Sequence, residues 1–167
     1  MTVTSNRQAQ VTLPTDEQIL ITREFDAPRH LVFKAFTTPQ LVKRWWHANR
    51  GEMRSAEIDF RVGGKWRYVS VTPDGFEVGF RGEYLEIVPN ERVVSTEFYE
   101  GVPEGVSEED ATTVNTATFT EADGRATLTI LVQAPNKVTR DAIIDSGMEA
   151  GLQDALQLLE EVASSLR

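Results

Sequence analysis

The stretch TRDAIIDSGMEAGLQDALQLLEEVASSLR (139–167) decides how the rest of the chain must fold. Its apolar side chains recur at alternating spacings of four and three residues, the pattern of one stripe along an α-helix: Met148, Leu152, Ala155, Leu159, Val162 and Leu166. We predict one continuous helix with Thr139 as its N-cap and Glu160 on its solvent face. A helix with so broad an apolar face must lie against an equally apolar surface.

The rest of the chain supplies that surface as short β-strands. The strand ILITREF (19–25) is followed by the start signals of two short helices, at Pro28 and Thr38. Farther along, apolar and polar residues alternate, which is typical of half-buried strands, and the first of these is predicted to run through Phe60 to Val62. We therefore predict an α+β fold: a curved antiparallel sheet, two short helices after the first strand, and a long C-terminal helix.

The length and composition of the chain indicate a single domain with this fold. A chain of 167 residues with 40% hydrophobic content can bury a substantial core. We predict that residues 18–167 form one domain. Residues 1–17 are predicted to be a flexible segment or an edge strand, with Val11–Leu13 as the candidate strand.

The charge and the absence of cysteine exclude several classes of function. A net charge of -9 disfavours a nucleic-acid partner and an anionic membrane surface. Without cysteine there is no disulfide and no thiolate metal site. The sequence has no long apolar run and no signal-peptide core, so the cytoplasm is the expected location.

No motif of known catalytic chemistry occurs in the chain. The two histidines, His30 and His47, belong to no zinc-binding pattern, and neither a nucleophile elbow nor a dinucleotide-binding glycine motif is present. We therefore expect no catalytic residue, no metal and no cofactor. His30 is expected in solvent, whereas His47, which follows two tryptophans, is a candidate for the mouth of a cavity.

A curved sheet that faces one helix leaves a centre that is either filled or partly hollow. For a hollow centre, the side chains predicted to border the ligand are Trp46, Phe60, Tyr68, Phe80, Phe98, Asp145, Met148, Gly151 and Leu152. Adjacent helical residues point in different directions, so one of Trp45 and Trp46 should pack inside and the other should border the cavity or solvent.

Two pairs of residues in the C-terminal stretch have alternative interpretations. Asp141 and Asp145 are one turn apart beside the apolar stripe, so they either project into water or edge the cavity mouth, where repulsion would favour protonation of one of them. Gly147 and Gly151 are unfavourable within a helix. Either the helix approaches a strand closely there, or the missing side chains leave space for a ligand.

Several short motifs, in order along the chain, resemble the Hsp90-ATPase-activator-like (AHSA1-like) family of the START/polyketide-cyclase superfamily. They are FDAPR (25–29), TP (38–39), WW (45–46), DFRVGGKWR (59–67), PNER (89–92) and SGMEAG (146–151). The chain departs from the family pattern at His47-Ala48, where Gly-Pro is common, and at Leu152, where an aromatic residue is common.

The resemblance implies a helix-grip fold and a cavity between the sheet and the C-terminal helix that binds a small, largely apolar molecule. It also implies two rival functions: an Hsp90-type co-chaperone domain with a chaperone as partner, and a cyclase or dehydratase acting on a polyketide-like substrate. We expect binding rather than catalysis, by a monomer or a homodimer, with no nucleic acid and no membrane as partners.

Overall fold

The computed structural model describes residues 7–167, whose eight strands form one antiparallel sheet. The strands are β1 (Gln10–Thr12), β2 (Gln18–Phe25), β3 (Glu52–Ile58), β4 (Lys65–Val71), β5 (Glu77–Val88), β6 (Arg92–Tyr99), β7 (Thr113–Ala122) and β8 (Arg125–Gln133). The helices are α1 (Arg29–Thr37), α2 (Pro39–Val42), α3 (Glu108–Ala111), α4 (Lys137–Asp145) and α5 (Met148–Ser165). The order across the sheet is β1-β2-β8-β7-β6-β5-β4-β3.

The sheet curves around α5, so that residues next to both of its edges contact this helix. Beside edge strand β1, the backbone N–H and C=O of Ala9 bond the Gln153 amide, at 2.8 Å each. Beside the other edge, Arg50 precedes β3 and donates to Asp154 at 2.6 Å. The predicted helix-grip architecture is therefore confirmed.

The core lies between the concave face of the sheet, here called the inner face, and helices α1 and α5. Alternate strand residues are buried on this face, as a period of two requires: Ile19, Ile21, Phe25, Trp66, Tyr68, Tyr84, Val93, Ala117, Phe119 and Leu128. From α5 the buried side chains are Ala155, Leu156, Leu159, Val162 and Ala163.

The C-terminal stretch is not one helix, and this prediction was wrong. Gly147 has φ 82°, a left-handed conformation that separates α4 from α5. An L-residue with a side chain is disfavoured there, which explains the glycine. Thr139 is not the N-cap either; the side chain of Asn136 caps α4 by accepting from the Thr139 N–H at 2.8 Å.

Glu160 is buried, although the helical pattern placed it on the solvent face. Its Oε1 accepts from Arg23 at 3.3 Å and from the Asp26 N–H at 2.9 Å, and Arg23 is itself 1% exposed. Gln157 also accepts from Arg23, at 2.9 Å. The prediction was wrong because a charged residue inside β2 provides a buried partner for a charged residue of α5.

Two strand boundaries differ from the predicted ones. β3 ends at Ile58, so Phe60 and Val62 lie in the following turn and are 37% and 61% exposed. The turn is tight at Gly64, where an added Cβ would lie 1.9 Å from the Asp59 carbonyl oxygen. β1 starts one residue before the predicted Val11–Leu13 strand, and the part of the predicted flexible segment in residues 1–6 lies outside the described residues.

Candidate functional site

We use the name inner groove for a set of half-buried residues on the inner face, after α2 and in the first turns of α5. Its members are Trp46, Phe80, Glu97, Asn115, Met148, Gly151 and Leu152. Contacts of α4 show where this helix lies relative to the sheet. Thr139 donates to the Asp110 carbonyl at 2.5 Å, and Arg140 donates to the carbonyls of Thr15 and Gln18 at 2.8 and 3.4 Å. The first turn of α4 therefore lies near the end of the sheet where β7 begins and Glu97 pairs with Thr113.

Aromatic rings form the apolar part of the groove. The ring of Trp46 is 4.9 Å from Tyr68, 5.8 Å from Phe80 and 6.4 Å from Trp66, all edge to face. Trp45 instead is buried, and its indole N–H donates to the Ala35 carbonyl at 2.9 Å. Trp45 is therefore the buried tryptophan of the pair, whereas Trp46 is half-buried.

Glu97 is the polar residue of the groove that the sequence analysis missed. On β6 it lies between Ser95, which pairs with Tyr84, and Tyr99, which pairs with Phe80. Burial raises the pKa of its carboxyl to about 7, partly offset by the Asn115 amide, which favours the charged form. Glu97 is half-buried, so part of its surface remains accessible.

Gly82 lets an indole ring lie next to Glu97. Trp66 pairs with Gly82, and its indole N–H donates to the Thr96 carbonyl at 3.2 Å. A Cβ at position 82 would lie 1.8 Å from that carbonyl oxygen, so only glycine fits here. The ring of Trp66 therefore crosses β5 and reaches the backbone of β6 beside Glu97.

Two tyrosine hydroxyls lie within the same aromatic cluster. Burial raises the pKa of Tyr68 well above its ordinary value and that of Tyr84 to about 12, and the two phenols interact with each other. The carboxyl of Glu97 raises the pKa of Tyr68 further. At neutral pH these groups are therefore uncharged hydrogen-bonding partners rather than phenolates.

Phe98 does not lie on the inner face, contrary to the prediction. It pairs with Arg81, whose guanidinium lies 4.7 Å from the Phe98 ring on the outer face. A shallow outer hollow of about 490 Å³ includes both residues, and its charges pair with one another, as in Arg81–Glu108 at 2.8 Å. The prediction was wrong because Tyr99, one position after Phe98, is the residue of β6 that faces inward. Phe98 therefore faces outward.

The other aromatic strand residues predicted to border the ligand lie in two different places. Tyr68 and Phe80 lie together in the groove cluster, as described. Phe60 lies in the turn after β3, where its ring centroid is 5.2 Å from that of Tyr84 and 5.9 Å from that of Phe33. It is therefore at the rim of the cluster.

The predicted acidic pair is not a repelling pair. Asp141 accepts from Lys137 at 2.6 Å and from Arg140 at 2.8 Å, and these hydrogen bonds lower the pKa of its carboxyl. Of the two alternatives for this pair, protonation at a cavity mouth is therefore contradicted for Asp141. Asp145 ends α4 as an exposed residue, and because Gly147 breaks the helix, its angle relative to α5 differs from the predicted one.

Gly151 lies beside open space. An added Cβ would meet no heavy atom within 4 Å, which rules out the close approach of helix and strand as the reason for this glycine. Met148 and Leu152, on the same helical turn, are half-buried and pack against the core.

The two histidines lie outside the groove set. His47 makes a local hydrogen bond, in which its Nδ1 accepts from the Asn49 N–H at 3.0 Å. His30 is exposed, as predicted.

Residues 7–167 contain neither a metal-binding cluster nor a membrane-spanning helix. Among residues 7–167, no three His, Asp or Glu side chains are grouped so as to hold a metal ion. Within the same range, no helix has both the length and the apolar character needed to cross a membrane.

Solved structures similar to this chain share its fold. A crystal structure from Rhodobacter sphaeroides has a TM-score of 0.85 at 23% identity and covers 96% of this chain and 100% of that one. A solution structure from Arthrobacter aurescens has a TM-score of 0.81 at 23% identity, covering 93% and 91%. A crystal structure from Mycobacterium smegmatis has a TM-score of 0.80 at 20% identity, covering 95% and 98%. At these identities the likeness concerns the fold alone.

The sequence comparison extends the likeness to a family. No curated protein matches the sequence. Residues 26–164 match the family described as activator of Hsp90 ATPase homolog 1-like protein. The match covers most of the chain, from the end of β2 to the last turn of α5. The chain belongs to the activator of Hsp90 ATPase homolog 1-like family.

Proposed function

We propose that this protein binds a small, largely apolar molecule in the inner groove, between the sheet and the first turns of α5. The observation that carries the proposal is the open space at Gly151, beside the half-buried Met148 and Leu152. Burial of apolar ligand surface there is favourable by roughly 25 cal/mol per Å². Trp46, Tyr68 and Phe80 supply the opposite wall, and the exposed Asp145 is proposed at the mouth.

The test compares two phenylalanines on opposite faces of neighbouring strands. The neutral dye N-phenyl-1-naphthylamine, which fluoresces in apolar surroundings, is titrated into the wild-type protein and into the variants Phe80→Ala and Phe98→Ala. We expect saturable binding to the wild type, weaker binding to Phe80→Ala and unchanged binding to Phe98→Ala, because only Phe80 faces the groove. Absence of saturable binding, or equal losses in both variants, would contradict the proposal.

An enzyme of the cyclase or dehydratase type is the second candidate, favoured by one observation. The Glu97 carboxyl, with a pKa of about 7, lies near the Tyr68 phenol, and a general base works best when its pKa is near the operating pH. With a polyketide-like substrate, Glu97→Gln should abolish turnover while dye binding persists. If the wild type leaves such a substrate unchanged, the binding function remains without catalysis.

The co-chaperone role rests on the family description alone. Its test is the ATPase rate of purified Hsp90 with and without this protein. A rate increase that Phe80→Ala leaves unchanged would identify a chaperone as a partner through a surface other than the groove. Our proposal predicts no increase.

A further inference from the structure

The inner groove contains one carboxyl among aromatic rings. On the inner face, Glu97 follows Ser95 and precedes Tyr99, and the position across from it on β5 is Gly82, which has no side chain. The indole of Trp66 occupies the space above Gly82, and Tyr68 is 4.7 Å from that indole, centroid to centroid. Glu97 thus lies on the same face of the sheet as these two buried rings.

The positive side chains that reach into the interior are held by other partners. The Arg23 guanidinium bonds Glu160 and Gln157, and the Arg140 guanidinium bonds Asp141 and backbone carbonyls. None of the ion pairs between side chains of residues 7–167 includes Glu97, whose carboxyl interacts with the Asn115 amide. The Glu97 carboxylate therefore has no cationic side chain within ion-pair distance among these residues.

Carboxylates and aromatic rings favour the same kind of ligand group. A protonated amine forms charge-assisted hydrogen bonds to a carboxylate. The faces of Trp and Tyr rings attract cations, more strongly where water is excluded. A ligand carboxylate or phosphate, in contrast, would be repelled by Glu97 and would find no cation there.

We propose that Glu97, together with Trp46, Trp66 and Tyr68, forms a recognition site for a protonated amine carried on an apolar body. This inference rests on the proposed function, since the apolar body occupies the groove beside Met148, Gly151 and Leu152. Binding of the cation also supplies the countercharge that the buried carboxylate lacks. The raised pKa of free Glu97 is consistent with such an uncompensated site, and a bound cation should lower it.

The test uses three probes of equal chain length: decylamine, decanol and decanoate, each below its micelle-forming concentration. Each probe competes with N-phenyl-1-naphthylamine for the wild-type protein at pH 8. We expect decylamine to displace the dye at least about tenfold more effectively than decanol, because a charge-assisted hydrogen bond is stronger than a neutral one. Decanoate should be the weakest of the three.

Two variants separate the site from the overall charge of the protein. Glu97→Gln should lose the preference for decylamine over decanol, with both probes measured against the dye bound to the same variant. Glu57→Gln changes the net charge equally on the exposed outer face of β3 and should keep that preference. If Glu57→Gln loses the preference as well, general attraction to an acidic protein explains it and the proposal is wrong.

The failure of this inference is distinguishable from the failure of the proposed function. If the dye binds but decylamine and decanol compete equally, the groove binds apolar molecules and the amine site is refuted. If neither the dye nor any probe binds, both proposals fall. As a second measurement, NMR titration of the Glu97 carboxyl should show its pKa lowered by decylamine and not by decanol.

Discussion

At the scale of single residues, burial and pairing act in opposite directions on two carboxyls that lie close in sequence. Glu97 faces the groove, and loss of hydration raises its pKa from 4.5 to about 7. Glu100 comes directly after β6, and its side chain lies on the outer face of the sheet. Its hydrogen bond to Arg67 lowers the pKa of its carboxyl. The two residues should therefore make the stability of the protein depend on pH with opposite signs.

For Glu97, the folded state binds a proton more tightly than the unfolded state does. Its contribution to stability is fully present below pH 4.5 and is lost as the pH rises to about 7. We expect Glu97→Gln to be more stable than the wild type at pH 8 and to lose this advantage at pH 4.5. One pKa unit corresponds to about 1.4 kcal/mol, and water reaching the half-buried residue reduces the effect, so we expect roughly 1–3 kcal/mol from urea unfolding.

Glu100→Gln is the matched control for this measurement. The lowered pKa of Glu100 gives stability that is present above the unfolded-state pKa and is lost as the pH falls through the folded-state pKa. This variant should therefore be less stable than the wild type at pH 8, with the difference vanishing in acid. A Glu97→Gln protein whose stability difference does not change with pH would contradict the assigned pKa.

At the scale of elements, the two glycines of the C-terminal stretch, Gly147 and Gly151, occur for different structural reasons. Gly147 adopts φ 82° between α4 and α5, so Gly147→Ala should lower the free energy of unfolding by about 1–2 kcal/mol. Gly151 lies inside α5 beside open space, so Gly151→Ala should raise it by up to about 1 kcal/mol. Denaturant unfolding followed by circular dichroism measures both, and changes of the same sign would contradict this assignment.

Gly151→Leu extends this comparison to ligand binding. The added side chain meets no heavy atom near its Cβ, so we expect stability near or above that of the wild type. The same side chain should fill the groove and abolish dye binding. Marked destabilisation would instead mean that the space is too small for a ligand, since overpacking costs typically about 1–3 kcal/mol.

The buried pair Arg23–Glu160 fixes α5 to β2. Glu160→Ala leaves the Arg23 guanidinium buried without its carboxylate and should destabilise the protein by about 3–5 kcal/mol. The double variant Arg23→Met/Glu160→Leu removes both charges and should be clearly more stable than Glu160→Ala. A double variant as unstable as the single one would indicate that packing, rather than the unpaired charge, causes the loss.

The elements also show what sequence patterns convey and what they omit. Alternation and spacing predicted the strands and the apolar stripe, because they report which face of an element is buried. They did not predict the left-handed conformation of Gly147 or the burial of Glu160, because both depend on contacts with distant residues. In the groove, Trp46, Tyr68 and Phe80 were predicted to lie inward, whereas Glu97 was missed because a charged residue on a strand is ordinarily exposed.

At the scale of the whole molecule, the two halves of α5 differ in how deeply their side chains are buried against the sheet. The second half contributes buried side chains to the core, and the Arg23–Glu160 pair anchors it. The first half lies over the groove with half-buried residues and follows the break at Gly147. The fold therefore combines a deeply buried end of the helix with first turns that are only half-buried, and the ligand is proposed to bind at these first turns.

Hydrogen exchange should reveal this difference. Amides of residues 152–154 lack the well-buried surroundings of residues 159–163, so we expect them to exchange through local opening at least about tenfold faster. Decylamine should slow exchange at residues 152–154 and leave residues 159–163 unchanged, because only the first turns of α5 lie at the proposed groove. In Gly151→Leu the protection by decylamine should disappear. Uniform exchange along α5, unaffected by the probe, would show that the helix opens as one unit and that the groove does not bind beneath its first turns.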